Sequence, residues 1–156
     1  MTTGDIAPVE RDELPQVLEI ETASFKYPWK KALFLEELKS PQAFFFAVKI
    51  KNSDQRHRVC AYICVRAAAA EIEILKIAVA PAWRRRGLGR SLIQWCEQLA
   101  RQKKIDNIFL EVRPSNRAAI HFYHQMGFAL IGKRPHYYPE TGEDALIMQK
   151  KLRERS

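Results

Sequence analysis

The stretch Arg84-Arg85-Arg86-Gly87-Leu88-Gly89-Arg90 sets four arginines and two glycines directly ahead of an apolar-periodic run, residues 91–100. Those residue types bind anions. A helix that begins near Gly87 has unpaired N–H groups and the positive end of its dipole in the first turn, and the arginines add charge beside them. Glycine permits positive φ and close approach of backbone to a guest. A phosphate or pyrophosphate fits best; the plain alternative is a solvated basic loop capping an ordinary helix. The stretch lacks the Lys-Ser/Thr pair of a nucleoside-triphosphate loop, since Arg90-Ser91 stands there, and Leu92 replaces the third glycine of a dinucleotide fingerprint.

The flanking elements position this turn. Ile77-Ala78-Val79 has strand character and runs into Ala80-Pro81, where the proline cannot continue a ladder. Leu88, Leu92, Ile93, Cys96, Leu99 and Ala100 recur at spacings of three and four, one face of a helix from Gly87 to about Lys103. Strand, basic glycine turn and helix follow in that order.

At 156 residues the chain is long enough for one domain with a real core, and a single domain over 1–156 is expected. Hydrophobic residues at 47% and charged residues at 28% place it among globular proteins. It has no apolar run of membrane-spanning length, and Met1 to Asp5 lacks the pattern of a secretory leader, so a cytoplasmic location and no membrane partner are expected. The net charge of +8 suits an anionic cofactor, an acidic substrate zone or nucleic acid, without choosing among them. The basic residues from Lys150 to Arg155 are expected to form a solvated tail. Cys60, Cys64 and Cys96 are expected to be reduced and buried, the first two on one face of a strand. No metal site is expected, because neither the cysteines nor His121 and His124 have partners at ligand spacing.

In chain order, residues 5–9 can form an edge strand, and residues 11–24 an amphipathic helix with Pro15 in its first turn. The aromatic loop 25–29 follows, then a helix over 30–38. Residues 43–50 and 59–66 predict a hairpin with a long polar loop. Residues 71–79 alternate at first and then turn apolar, a strand with one wet and one buried end. Residues 107–112 are almost continuously apolar, as in a central strand covered on both faces. Ser115-Asn116 can cap a helix that ends at Gly127, and residues 128–131 and 144–148 supply two last strands. The order β-α-α-β-β-β-α-β-α-β-β predicts an α/β (α+β) domain: a mixed sheet of about seven strands flanked by about four helices.

The segment Arg84-x-x-Gly87-x-Gly89 resembles the acetyl-coenzyme A signature of the GNAT superfamily of N-acetyltransferases. The resemblance extends through Ile77-Ala78-Val79, Leu110-Glu111-Val112-Arg113, Ser115-Asn116, Ala119-Ile120, Tyr123 and Gly127-Phe128. Tyr27-Pro28-Trp29, Glu73, Tyr137-Tyr138-Pro139 and residues 143–148 resemble the bacterial ribosomal-protein-alanine N-acetyltransferases of the RimI type. The resemblance implies a GNAT fold, acetyl-CoA as donor and a protein N-terminus as acceptor, in that group a ribosomal protein. It further implies Glu111 as general base, Tyr123 as general acid, and cofactor contacts from Ile77, Ala78, Val79, Arg84, Arg85, Arg86, Gly87, Leu88, Gly89, Arg90 and Asn116. Trp29, Glu73, Tyr137 and Tyr138 are the acceptor-side candidates. No specific nucleic acid is expected, and the chain is expected to be a monomer or weak dimer. Lys76 departs from the asparagine common in the family, and the polar stretch 51–58 is longer and more basic than its pattern.

The chemistry is consistent with those roles. An α-amino group of pKa about 8 is largely protonated at neutral pH and must lose a proton before it attacks a thioester. A carboxylate can take that proton, and a phenol of pKa about 10 can return one to the departing thiolate. An oxyanion donor is also needed, and a backbone N–H of the Ile77 to Val79 strand supplies it if that strand splays from its neighbour. A lysine or small-amine acetyltransferase on the same fold is the alternative. A non-catalytic acyl-CoA or ribosomal RNA binder is a third class, which would have no use for Glu111 and Tyr123.

Overall fold

The computed structural model describes residues 4–152. Its seven-stranded sheet has the order β1-β2-β3-β4-β5-β7-β6. The strands are β1 (Asp5–Pro8), β2 (Ala43–Lys51), β3 (His57–Ala68), β4 (Glu71–Val79), β5 (Asn107–Val112), β6 (Ala129–Arg134) and β7 (Ala145–Lys151). All neighbours are antiparallel except β4 and β5, which are parallel and joined through a helix. The helices are α1 (Leu14–Ser24), α2 (Lys31–Lys39), α3 (Leu88–Gln102) and α4 (Arg117–Gln125). Pro15 sits in the first turn of α1, where its missing N–H costs nothing. Element order and count match the sequence expectation.

Two cores lie on the two faces of the sheet. α3 and α4 cover one through Leu88, Leu92, Ile93, Cys96, Ala100 and Tyr123. The α1 and α2 side buries Leu14, Val17, Ile20 and Phe34 against Phe45 and Tyr62. Arg66 ties α2 to β3, with its Nε and Nη2 donating to the Glu37 carboxylate at 2.8 and 2.6 Å.

Four sequence expectations change. Cys60 and Cys64 lie in opposite cores, because Val48 pairs Ala61 while Lys49 pairs Val59; the extra residue, Cys60, reverses the facing of the strand. The hairpin loop is shorter than expected, since Lys51 pairs with His57 and only residues 52–56 remain outside the strands. β5 is not covered on both faces: Ile108, Leu110 and Val112 are buried, whereas Asn107, Phe109 and Glu111 are half-buried. Lys150 belongs to β7 rather than to a solvated tail: its Nζ pairs with Glu97 at 3.0 Å and donates to the Met126 carbonyl at 2.6 Å. Leu152 is buried too, and residues 153–156, like Met1 to Thr3, lie outside the described residues.

Candidate active site

The site is built on a divergence of two strands. β4 pairs with β5 only over Glu71 to Ile74, opposite Asn107 to Leu110, and from Leu75 onward has no β5 partner. A bulge marks the departure: Val65 pairs with Ile74 but Cys64 with Lys76, leaving Leu75 extra. Ala80 N–H donates to the Cys60 carbonyl at 2.8 Å, so Ala80 and Ala78 direct their amides to β3. Ile77 and Val79 therefore direct theirs to the vacated edge. Arg84 Nε, which donates to the Val79 carbonyl at 3.1 Å, reaches the strand from that same side. The expected contacts of the strand thus divide: Ile77 and Val79 present backbone to the opening, while Ala78 turns its side chain into the α1 core. The expected buried end of β4 is half-buried for the same reason.

Beyond the strand, Pro81 to Trp83 form one 3-10 turn, and Arg85 (φ 64°) and Gly87 (φ 80°) both adopt left-handed backbone before α3 begins. The amides of residues 85–90 have no partner among the described hydrogen bonds, an arrangement that gathers N–H dipoles at the helix N-terminus. A Cβ at Gly87 would meet nothing within 4 Å, so the space above this turn is open. Gly89 serves packing instead: a Cβ there would sit 3.1 Å from the Phe122 ring of α4. Leu88 offers only its amide, because its side chain is in the core. Arg84 fixes the turn, its second contact being Nη2 to Ser24 Oγ at 3.2 Å. Arg85, Arg86 and Arg90 are exposed, and Arg86 lies 4.8 Å over the Trp83 ring. These residues fit a pyrophosphate, which needs open space, free amides and nearby cations. Asn116 caps α4, its Oδ1 accepting from Ala119 N–H at 3.2 Å.

Glu111 lies on β5 just past the point where β4 departs, on the same face as Glu73. Both line a cavity of about 180 Å³ with Glu71, Phe109 and Arg134. Glu111 Oε2 is buried and accepts no hydrogen bond, but it forms an ion pair with Arg134 Nε at 3.3 Å. Burial raises the Glu73 pKa, and the neighbouring Glu111 raises it further. Tyr137 is raised chiefly by Glu111. Tyr138 is pushed up to about 12, first by burial and then, against the lowering charge of Arg113, by Glu111. Tyr123 packs edge-on to Phe128 at 5.6 Å; burial raises its pKa, with Tyr138 adding to the shift. Glu73, Glu111, Tyr137, Tyr138 and Tyr123 are thus brought into one neighbourhood by β4, β5, α4 and the loop before β7.

Trp29 stands apart from them. Its ring packs on Phe34 at 5.2 Å and its backbone N–H donates to Glu21 Oε2 at 2.8 Å. Glu21 is fully buried, accepts from the Tyr62 hydroxyl and pairs with Lys76 Nζ at 2.9 Å. Lys76 lies 3.6 Å over the Phe25 ring. Sequence reasoning noticed Lys76 as a departure but missed its partner, since Glu21 is 55 positions earlier and the bulge at Leu75 decides which way Lys76 faces. Arg113 was also missed as a site residue. Its guanidinium lies 3.8 Å from the Tyr138 ring and 4.7 Å from the Tyr27 ring.

The model of the acetyltransferase (GNAT) family matches residues 14–128. The chain belongs to that family. It is an acetyl-CoA-dependent N-acetyltransferase. It is 31% identical over 145 residues to the [ribosomal protein bS18]-alanine N-acetyltransferase of Escherichia coli K12, covering 92% of this chain and 94% of that one. Identity is also 31% over 155 residues, 95% of this chain and 96% of the other, to the N-alpha-acetyltransferase RimI of Mycobacterium tuberculosis. The crystal structure of the Escherichia coli ribosomal-protein-S18-alanine N-acetyltransferase superposes with a TM-score of 0.82 at 29% identity, over 98% of this chain and 96% of that one. That of Ard1 from Thermoplasma volcanium gives 0.83 at 26% identity, over 98% and 100%.

Proposed function

We propose that this protein acetylates the α-amino group of a ribosomal protein that begins with alanine, with Glu111 as general base and Tyr123 as general acid. The observation that carries this reading is the parting of β4 from β5 between a basic helix N-terminus and a carboxylate–tyrosine cluster. The name of one relative of matching length supports a ribosomal protein with an N-terminal alanine, and that of a second supports the α-amino group.

The amides of residues 85–90 and the guanidinium groups of Arg85, Arg86 and Arg90 hold the pyrophosphate. Acetyl-CoA, when bound, supplies the acetyl group as an activated thioester. The outward amides of Ile77 and Val79 are donors fixed in advance at the strand edge, where negative charge on a carbonyl oxygen develops. Glu111 Oε2, buried and paired with Arg134 but accepting no hydrogen bond, keeps lone-pair capacity for the proton that the acceptor ammonium must lose, relayed through a water. Glu73 adds a second carboxyl beside it, which favours a cationic group at the acceptor end. The raised pKa of Tyr123 keeps its phenol protonated at neutral pH, so it arrives as a donor for the leaving sulfur. Tyr137 and Tyr138 border the same cluster from the loop before β7 and are the acceptor contacts; Trp29 acts through the loop it anchors.

The test is a pair of peptides starting with alanine and containing an internal lysine, one with a free and one with a blocked α-amine. Mass spectrometry after incubation with acetyl-CoA should find acetylation of the free peptide only, on its first residue. Acetylation of lysine in both peptides would replace this reading with the lysine-acetyltransferase one.

A further inference from the structure

Arg113 is one residue beyond β5 and two beyond Glu111, and only 18% of its side chain is exposed. One face of its environment is Tyr27, in the loop between α1 and α2; the other is Tyr138, in the loop between β6 and β7. Its Nη2 donates to Glu140 Oε2 at 3.1 Å and its Nη1 to Thr141 Oγ1 at 3.3 Å, with Glu143 Oε1 3.8 Å from Nη1. Glu143 in turn accepts from the Ser115 amide and hydroxyl, both at 3.1 Å, which ties the same loop to the segment ahead of α4. Among the described residues, the hydrogen bonds, ion pairs and ring contacts of its side chain run to the two loops that flank the parting of β4 and β5.

We propose that Arg113 is a positioning residue that latches these two loops across the acceptor opening, and so sets peptide binding and the placement of Tyr138 beside Glu111 and Tyr123 without contributing to cofactor binding. The inference rests on the α-amino acetyltransferase reading for its substrate, though not for its geometry. Two features of the arginine are used together. A planar guanidinium can lie against two rings while its edge donates to two loop side chains. A lysine at this position would keep the charge and lose both the stacking and the fork of donors. Glu140 and Thr141 accept from the edge, with Glu143 paired by charge, and both carboxyls are held below the ordinary range, Glu140 first by its own backbone and then by Arg113, Glu143 first by Ser115.

The experiment uses Arg113→Lys, Arg113→Ala and Tyr27→Ala in the full chain, with three readouts. In steady-state kinetics, Arg113→Lys and Arg113→Ala should raise the KM for an Ala-starting peptide by about tenfold or more, with acetyl-CoA Kd within about twofold of the parent. Tyr27→Ala should raise the same KM, and combining it with Arg113→Ala should add little, because one latch has already been opened. Hydrogen exchange of the acetyl-CoA complex should show residues 25–30 and 135–144 losing protection together in Arg113→Ala. A parent-like peptide KM in Arg113→Lys, faster exchange in only one of the two loops, or additive effects of Tyr27 and Arg113 would overturn the latch. The exchange readout does not depend on turnover, so it decides the latch even if the acceptor reading fails; loss of α-amine selectivity in the parent enzyme would count against the acceptor reading alone.

Discussion

Tyr123 and Glu73 are both displaced in pKa by burial, with opposite consequences for what each can do. The Tyr123 phenol, packed against Phe128 and raised by burial, keeps its proton across the neutral range. Tyr123→Phe removes that one proton and little of the packing. Turnover should therefore fall by about 10²-fold or more, with acetyl-CoA affinity and thermal midpoint close to the parent; a variant of full activity would remove Tyr123 from the mechanism. Glu73 is a carboxyl whose folded pKa lies above its ordinary value of 4.5, through burial and the nearby Glu111. The folded chain holds this proton more tightly than the unfolded one, so the stabilisation is present below the ordinary value and is lost as pH rises through the folded value. Glu73→Gln cannot ionise and escapes that loss. Urea unfolding from pH 4 to pH 8 should show the variant gaining on the parent as pH rises, and parallel stability curves would contradict the assignment.

The β4 segment from Leu75 to Val79 is where strand, turn and helix combine to make the site. Its bulge turns Lys76 toward Glu21, whose fully buried carboxylate also accepts from Tyr62 and from the Trp29 amide. Lys76→Ala leaves that carboxylate without its cation, and breaking a buried pair in this way costs about 3–5 kcal/mol. A lowered urea midpoint is the expected result, with weaker peptide binding because the loop before α2 hangs from the same carboxylate. Gly87→Ala acts on the next element: at φ 80° an alanine pays about 1 kcal/mol or more of strain. The acetyl-CoA Kd should rise several-fold without a change in the pH profile. The element order, the α3 face and the glycine turn were legible in the sequence because they follow local periodicity and turn chemistry. The facing of Cys60 and of Lys76 was not, since one extra residue in a strand reverses every side chain beyond it and leaves no mark in composition. Gly89 was legible as a required glycine but not for its reason, which is Phe122 of α4, 33 positions later. The parting of β4 from β5 depends on pairing partners far apart in the chain, and so only the structure shows it.

Taken whole, the molecule carries a net charge of +8, and four exposed arginines stand at the α3 N-terminus beside unpaired amides. Binding of a polyanionic cofactor there should weaken several-fold between about 0.05 and 0.5 M salt, since exposed charges are screened over a few ångströms at high ionic strength. Peptide turnover at saturating acetyl-CoA should respond less, because the acceptor cluster is half-buried. On the proposed reading the sheet divides these tasks by position: grip at one helix terminus, proton transfer at the end of β5, and the acceptor between the two loops that Arg113 contacts. Among the described residues no helix is long and apolar enough to cross a membrane. The central claim is that the carboxylate at the end of β5 takes the proton from the acceptor amine. It is tested most directly by the kcat/KM of Glu111→Gln for an Ala-starting peptide, with acetyl-CoA affinity measured on the same preparation. A fall of about 10²–10⁴-fold at unchanged affinity is the predicted result, and turnover equal to the parent would contradict it.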